Sequence, residues 1–123
     1  MRPTNRSFVA ATTLVASLLA AAALAQYPSK PIRLIVPWPA GGTVDGVARV
    51  IGPKLTEGLG RPIIVENKAG AGGSIGQAEA AKAPPDGHTV LLVFDTHAVN
   101  HLLYQNLGYD PFRSFEHVSL NGS

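Results

Sequence analysis

The stretch Ile32–Asp45, IRLIVPWPAGGTVD, decides the reading of the fold. Ile32–Val36 is a short apolar, β-branched run, suited to a strand buried on both faces. Pro37 and Pro39 end it, because neither can donate to a sheet ladder. Ala40-Gly41-Gly42 turns the chain, and Thr43 is expected to cap the amphipathic segment that follows. A strand, a glycine loop and a helix start result, with the backbone N–H groups of Gly41, Gly42, Thr43 and Val44 expected to face outward. Such orphan donors at the positive end of a helix dipole form an anion site. On these residues alone, a tight turn without a ligand is an equal reading.

Working outward, residues 1–25 have the three parts of a secretory signal peptide. Arg2 and Arg6 make a basic start, Phe8 to Ala23 an apolar centre, and Ala23-Leu24-Ala25 a small-x-small cleavage pattern. Cleavage is expected between Ala25 and Gln26, so residues 26–123 form the mature part. The formal charge of +2 then disappears, since two of the basic residues lie in the leader. No Lys/Arg cluster suggests nucleic acid. With no cysteine there is neither a disulfide framework nor a lipoprotein anchor. The expectation is an exported, unanchored chain with one modest core.

From Asp45, Val47, Ala48, Ile51 and Leu55 recur at helical spacing. Gly52-Pro53 is expected to interrupt and kink this helix, Gly58 and Gly60 to close it. Ile63-Ile64-Val65 reads as a second buried strand. The loop Asn67–Gly73 follows, then Ser74 and Gln77 with capping-box spacing, and an alanine-rich helix runs to about Ala83. Pro84-Pro85-Asp86-Gly87 is a turn. Thr89–Phe94 reads as the third strand, Ala98–Leu103 as a short helix, and His117–Leu120 as a fourth strand. Asp110-Pro111 suits the start of a single helical turn. Apolar strands alternating with helices give an α/β fold, a parallel sheet with flanking helices. Loops Pro37–Gly42, Asn67–Gly73 and Asp95–His97 then gather on one edge, where ligands bind in such sheets.

Three other motifs read less well. Gly70, Gly72, Gly73 and Gly76 are one residue off the dinucleotide fingerprint. Gly72-x-Ser74-x-Gly76 matches the nucleophile-elbow string, with Asp95 and His117 following in order, but seven loop residues separate the strand from Ser74. Helix capping explains that serine better. Asp95, His97 and His101 make only three metal ligands, without a second cluster. Asp45 reads either as a first-turn carboxylate favoured by the helix dipole or as an acceptor for a polar ligand group. Trp38 reads as a wall of the site or as core.

Taken in order, the segments Tyr27-Pro-x-Lys-Pro-Ile-Arg33, Val36-Pro-x-Pro-Ala-Gly-Gly-Thr-x-Asp45, Val65-Glu-Asn-Lys68, Gly70-Ala-Gly-Gly-x-x-Gly76, Pro85-Asp-Gly-x-Thr89, Leu103-Tyr104 and Tyr109-Asp110 resemble one family. It is that of the Bug-type extracytoplasmic solute receptors of tripartite tricarboxylate transporters. The resemblance implies a periplasmic binding protein of the type II fold, which captures a small carboxylate or related metabolite for membrane permease subunits. It implies no enzyme activity and no cofactor, metal or nucleic acid, and a monomer when complete. By position it points to Ala40, Gly41, Gly42, Thr43, Asp45, Ala71, Gly72 and Gly73 as ligand-binding residues, with Thr96 and Asn100 from the third loop. The family runs well beyond this length, so residues 26–123 are expected to form an incomplete N-terminal lobe. Asp95 stands where the family more often has a small residue. The alternatives are a small exported serine hydrolase using Ser74, or an inactive fragment.

Overall fold

The computed structural model describes residues 27–119. The expected leader and its cleavage point lie outside that range. Three parallel strands, β1 (Ile32–Val36), β2 (Ile63–Asn67) and β3 (Thr89–Leu91), form one sheet in the order β2-β1-β3. Helix α1 (Thr43–Leu59) connects β1 to β2, and α2 (Ser74–Lys82) connects β2 to β3. Helix α3 (Thr96–Leu103) follows the sheet. The α/β class read from the sequence is therefore the observed one.

The central place of β1 follows from its composition. Ile32, Leu34, Ile35 and Val36 are all buried, so this strand alone is apolar on both faces. One face, Leu34 and Val36, packs on Val44 and Ala48 of α1. The other carries Arg33, whose guanidinium reaches Glu66 of β2 and Glu79 of α2 at 2.7–2.8 Å. The two helices thus cover opposite faces, as right-handed crossovers to opposite neighbours of β1 require. Burying each large aliphatic side chain of β1 contributes roughly 1.5–3 kcal/mol.

Several expectations change once packing is known. Gly42, extended at φ −74°, is the N-cap of α1, and Thr43 is its first helical residue. No side chain caps the helix; Asp45 in its first turn instead ties down the preceding loop, its Oδ2 accepting the Gly41 N–H at 2.8 Å. Pro53 does not interrupt α1, which is helical over all 17 residues. Pro53 lies on the exposed face, and Gly52 before it has no side chain to crowd the ring. Gly58 lies inside the helix, and only Gly60, at φ 69°, closes it. The stripe of α1 that meets the sheet is Val44, Ala48 and Gly52, whereas Val47 and Leu55 are exposed.

The Ser74–Gln77 capping box does not form. Left-handed Gly73 (φ 89°) occupies the N-cap of α2, so Ser74 sits one residue too deep, and Gln77 is drawn into the interior. Strand β2 is an edge strand, with Ile64 exposed. β3 ends at Leu91, because the last bond that β1 offers is Leu92 N–H to Ile35 O at 3.0 Å. Residues 117–119 are not strand, and Leu120 lies outside the described residues. Asp110 starts a turn as expected, its Oδ1 accepting the amides of Phe112 and Arg113.

Candidate functional site

Parallel pairing places the ends of β1, β2 and β3 on one edge, and the three following loops meet there. Asn67, the last residue of β2, ties the first loop down. Its Nδ2 donates to Trp38 O at 3.1 Å and to Asp45 Oδ1 at 3.0 Å. The other Asp45 oxygen accepts from Gly41 N–H and from Arg49 Nε, each at 2.8 Å. These three partners, Arg49 foremost, hold the Asp45 carboxyl down at about 2. Its side chain is only 3% exposed. Asp45 is therefore a neutralised brace beneath the loop, and its charge does not confront an incoming anion.

This bonding corrects the expectation of four outward amides. The Gly41 N–H is taken by Asp45 and the Gly42 N–H by Pro39 O at 3.2 Å. Among the described residues, Thr43 and Val44 retain amides without a recorded acceptor. In the second loop, Gly73 N–H bonds Gly70 O at 2.9 Å, while Ala71 and Gly72 likewise keep theirs. The loop is a short 3-10 turn, Ala71–Gly73, in which Gly72 has φ 62°.

The loops touch. A Cβ on Gly73 would stand 3.3 Å from both Pro37 O and the Trp38 ring, and one on Gly72 would meet the Tyr104 hydroxyl at 2.7 Å. Trp38 is half-buried and its ring centroid lies 6.1 Å from that of Phe94. Trp38 and Phe94 thus make an aromatic pair at this edge, and Tyr104 closes on the second loop at Gly72. A planar ligand with a carboxylate suits that combination: main-chain donors for the charge, rings for the rest.

The third loop contributes differently from expectation. Asn100 is buried and donates to Gly72 O at 3.3 Å, so it braces the second loop. Thr96 is the first residue of α3. Asp95 precedes it, exposed and without a side-chain cap bond. His97 faces inward to Gln77 and Pro111, whereas His101 packs edge-on against Phe112 at 5.5 Å, so the two do not converge. Ala40 is exposed at the loop tip. Ser74 makes no recorded hydrogen bond to a histidine or an acid among the described residues.

Sequence reasoning missed Asn67, Arg49, Tyr104 and Gln77. The Asp45–Arg49 pair had a legible signal, being four apart on a helix. Asn67 had a weaker one, an amide ending an apolar strand. Tyr104 and Gln77 had none, since both act through contacts 20 or more residues away.

The comparisons with known proteins show the family and the fold. Residues 47–122 match the family model described as tripartite tricarboxylate transporter family receptor. The chain is 41% identical over 110 residues to the UPF0065 protein of the tcbD-tcbE intergenic region of Pseudomonas sp. (strain P51), covering 89% of this chain and 33% of that one. Among solved structures, the periplasmic binding protein BugD superposes with a TM-score of 0.71 at 44% identity, over 73% of this chain and 30% of BugD. MatC from Rhodopseudomonas palustris, with bound malate, gives 0.68 at 38% identity, over 72% of this chain and 31% of MatC. The chain spans about a third of the length of the relatives it matches. Matched by a family model over more than half its length, and folded like the solved members, the chain belongs to the tripartite tricarboxylate transporter receptor family.

Proposed function

We propose that this chain forms a carboxylate-binding surface of a periplasmic solute receptor, which hands its ligand to the permease subunits of a tripartite tricarboxylate transporter. The observation that carries the reading is the pairing of free amides at Thr43 and Val44 with those at Ala71 and Gly72 on one sheet edge. Asp45, the acid beneath the first loop, is paired there with Arg49. The malate bound to MatC supports a small carboxylate as the ligand class. The leader pattern and the periplasmic naming of BugD support the compartment. Residues 26–123 serve as one lobe, and Ala40–Thr43 with Ala71–Gly73 form its binding edge. The chemistry is recognition: no step in it makes or breaks a covalent bond.

Titration of malate into the isotope-labelled chain, followed by NMR, tests this. The amide signals of Thr43, Val44, Ala71 and Gly72 should move together and saturably. Gly72→Val, which adds a branched side chain at positive φ, should weaken the effect about tenfold or more, the loss of one charge-assisted hydrogen bond. Shifts absent from these amides, or covalent labelling of Ser74 by a serine-directed probe, would overturn the reading.

A further inference from the structure

Behind the second glycine loop lies a polar group that the ligand reading does not use. Gln77 of α2 is wholly buried. Its Oε1 lies 2.8 Å from the Tyr109 hydroxyl and 2.7 Å from His97 Nδ1, while Nε2 has no partner. His97 Nε2 lies 3.1 Å from Pro111 O. A carbonyl only accepts, so His97 carries a proton on Nε2.

The consequence falls on the other ring nitrogen. In neutral His97, Nδ1 bears a lone pair, which would then face the Gln77 oxygen, acceptor against acceptor. Two arrangements relieve this. Protonated His97 donates from Nδ1 to Oε1. With neutral His97, the amide turns over, so that Nε2 donates both to Nδ1 and to the Tyr109 oxygen. The Tyr109 proton is then free to turn away from Gln77, while Asn100 holds Gly72 O. Both arrangements keep the heavy atoms in the same places, because an amide's oxygen and nitrogen exchange by a half-turn.

We propose that Gln77 is a positioning residue of the second glycine loop, with two amide settings coupled to the proton on His97: nitrogen toward neutral His97, oxygen toward protonated His97. The atom left over points at the seam between the loops, 3.2 Å from where a Cβ on Gly73 would be. It is an acceptor in the first setting and a donor in the second. The polarity beneath the site thus follows one proton.

The surroundings favour the neutral form near pH 7. Gln77 is the group that α2 presents to His97. The segment after α3 presents Tyr109, stacked at 6.5 Å, Phe115 at 5.2 Å and His117 at 6.2 Å. The carboxylate of Asp110 is turned to its own turn amides, and His101 on α3 packs against Phe112. No salt bridge joins His97 to a carboxylate among the described residues. Burial therefore lowers its basicity, and a charge on His117 adds to the effect.

The inference concerns the unliganded chain, so it stands or falls apart from the carboxylate reading. Through-hydrogen-bond NMR coupling between Gln77 Nε2 and His97 Nδ1 should be seen in the labelled full chain at about pH 8, with the proton on Nε2. It should vanish as His97 protonates in acid. Q77E sets a carboxylate against Nδ1 and should raise the His97 midpoint by about one pH unit or more. Q77M should produce no such rise. A proton on Nδ1 at pH 8, or a His97 titration that is the same in parent, Q77E and Q77M, including that of an unfolded chain, would overturn the proposal.

Discussion

Gly76 lies where α2 crosses the sheet, and replacing it with alanine sets two effects against each other. A Cβ there would stand 2.8 Å from Lys68 O, 2.9 Å from Pro37 Cβ and 3.0 Å from Lys68 Cβ. All three atoms belong to Pro37 and Lys68 at the ends of the glycine loops, and each is a backbone carbonyl or a Cβ fixed to the backbone, so none can swing aside. Glycine inside a helix costs about 1 kcal/mol relative to alanine, which Gly76→Ala would recover. Overpacking a tight contact costs ~1–3 kcal/mol, and separations this short with backbone put it near the upper end. The net expectation is a loss of about 2 kcal/mol, which lowers Tm by roughly 8–16 °C for a domain of this size. Gly58→Ala provides the internal control. Gly58 is also helical, but its added Cβ would meet nothing within 4 Å, so the same change should stabilise by about 0.5–1 kcal/mol. Urea unfolding followed by circular dichroism measures both. If Gly76→Ala proves as stable as the parent, or if the two variants shift together, the close approach of α2 to the loop bases is not what makes that glycine necessary.

Other expectations follow from the brace and the ion pairs. Asp45 is held at about 2, below its ordinary value of 3.8. Its stabilisation is therefore complete above the ordinary value and lost as pH falls toward 2. Asp86, held to about 2 mainly by Lys30, loses its contribution in the same window. Urea midpoints compared at about pH 5 and pH 2.5 should accordingly drop less in Asp45→Asn than in the parent; an equal drop would refute the brace. Arg33→Leu leaves Glu66 and Glu79 facing each other without their shared guanidinium. It should destabilise by about 1 kcal/mol at low salt and less at high salt, since the group is a third exposed. A loss insensitive to salt would assign the effect to packing. For export, N-terminal sequencing of the secreted chain should begin at Gln26, and an intact Met1 species in the cytoplasm would count against the leader.

What the sequence determined by itself was whatever depends on neighbours a few residues apart. The apolar run Ile32–Val36 specified a strand buried on both faces, whereas its central place in the sheet came only with the pairing order. The alternation of such runs with helical spacing specified a parallel sheet, and that in turn brought the glycine loops to one edge. Contacts between distant residues were decided by tertiary structure alone. Pro53 stays within α1 because the exposed face tolerates a missing hydrogen bond while the opposite face is held by the sheet. Gln77 leaves its capping position because His97 and Tyr109 offer partners inside. Asp45 becomes a brace because Asn67, 22 residues later, arrives beside it when β2 pairs with β1. Which amides remain free at the site depends on where Asp45 and Pro39 O end up. No local spacing encodes that, because a hydrogen-bond acceptor is chosen by position in space.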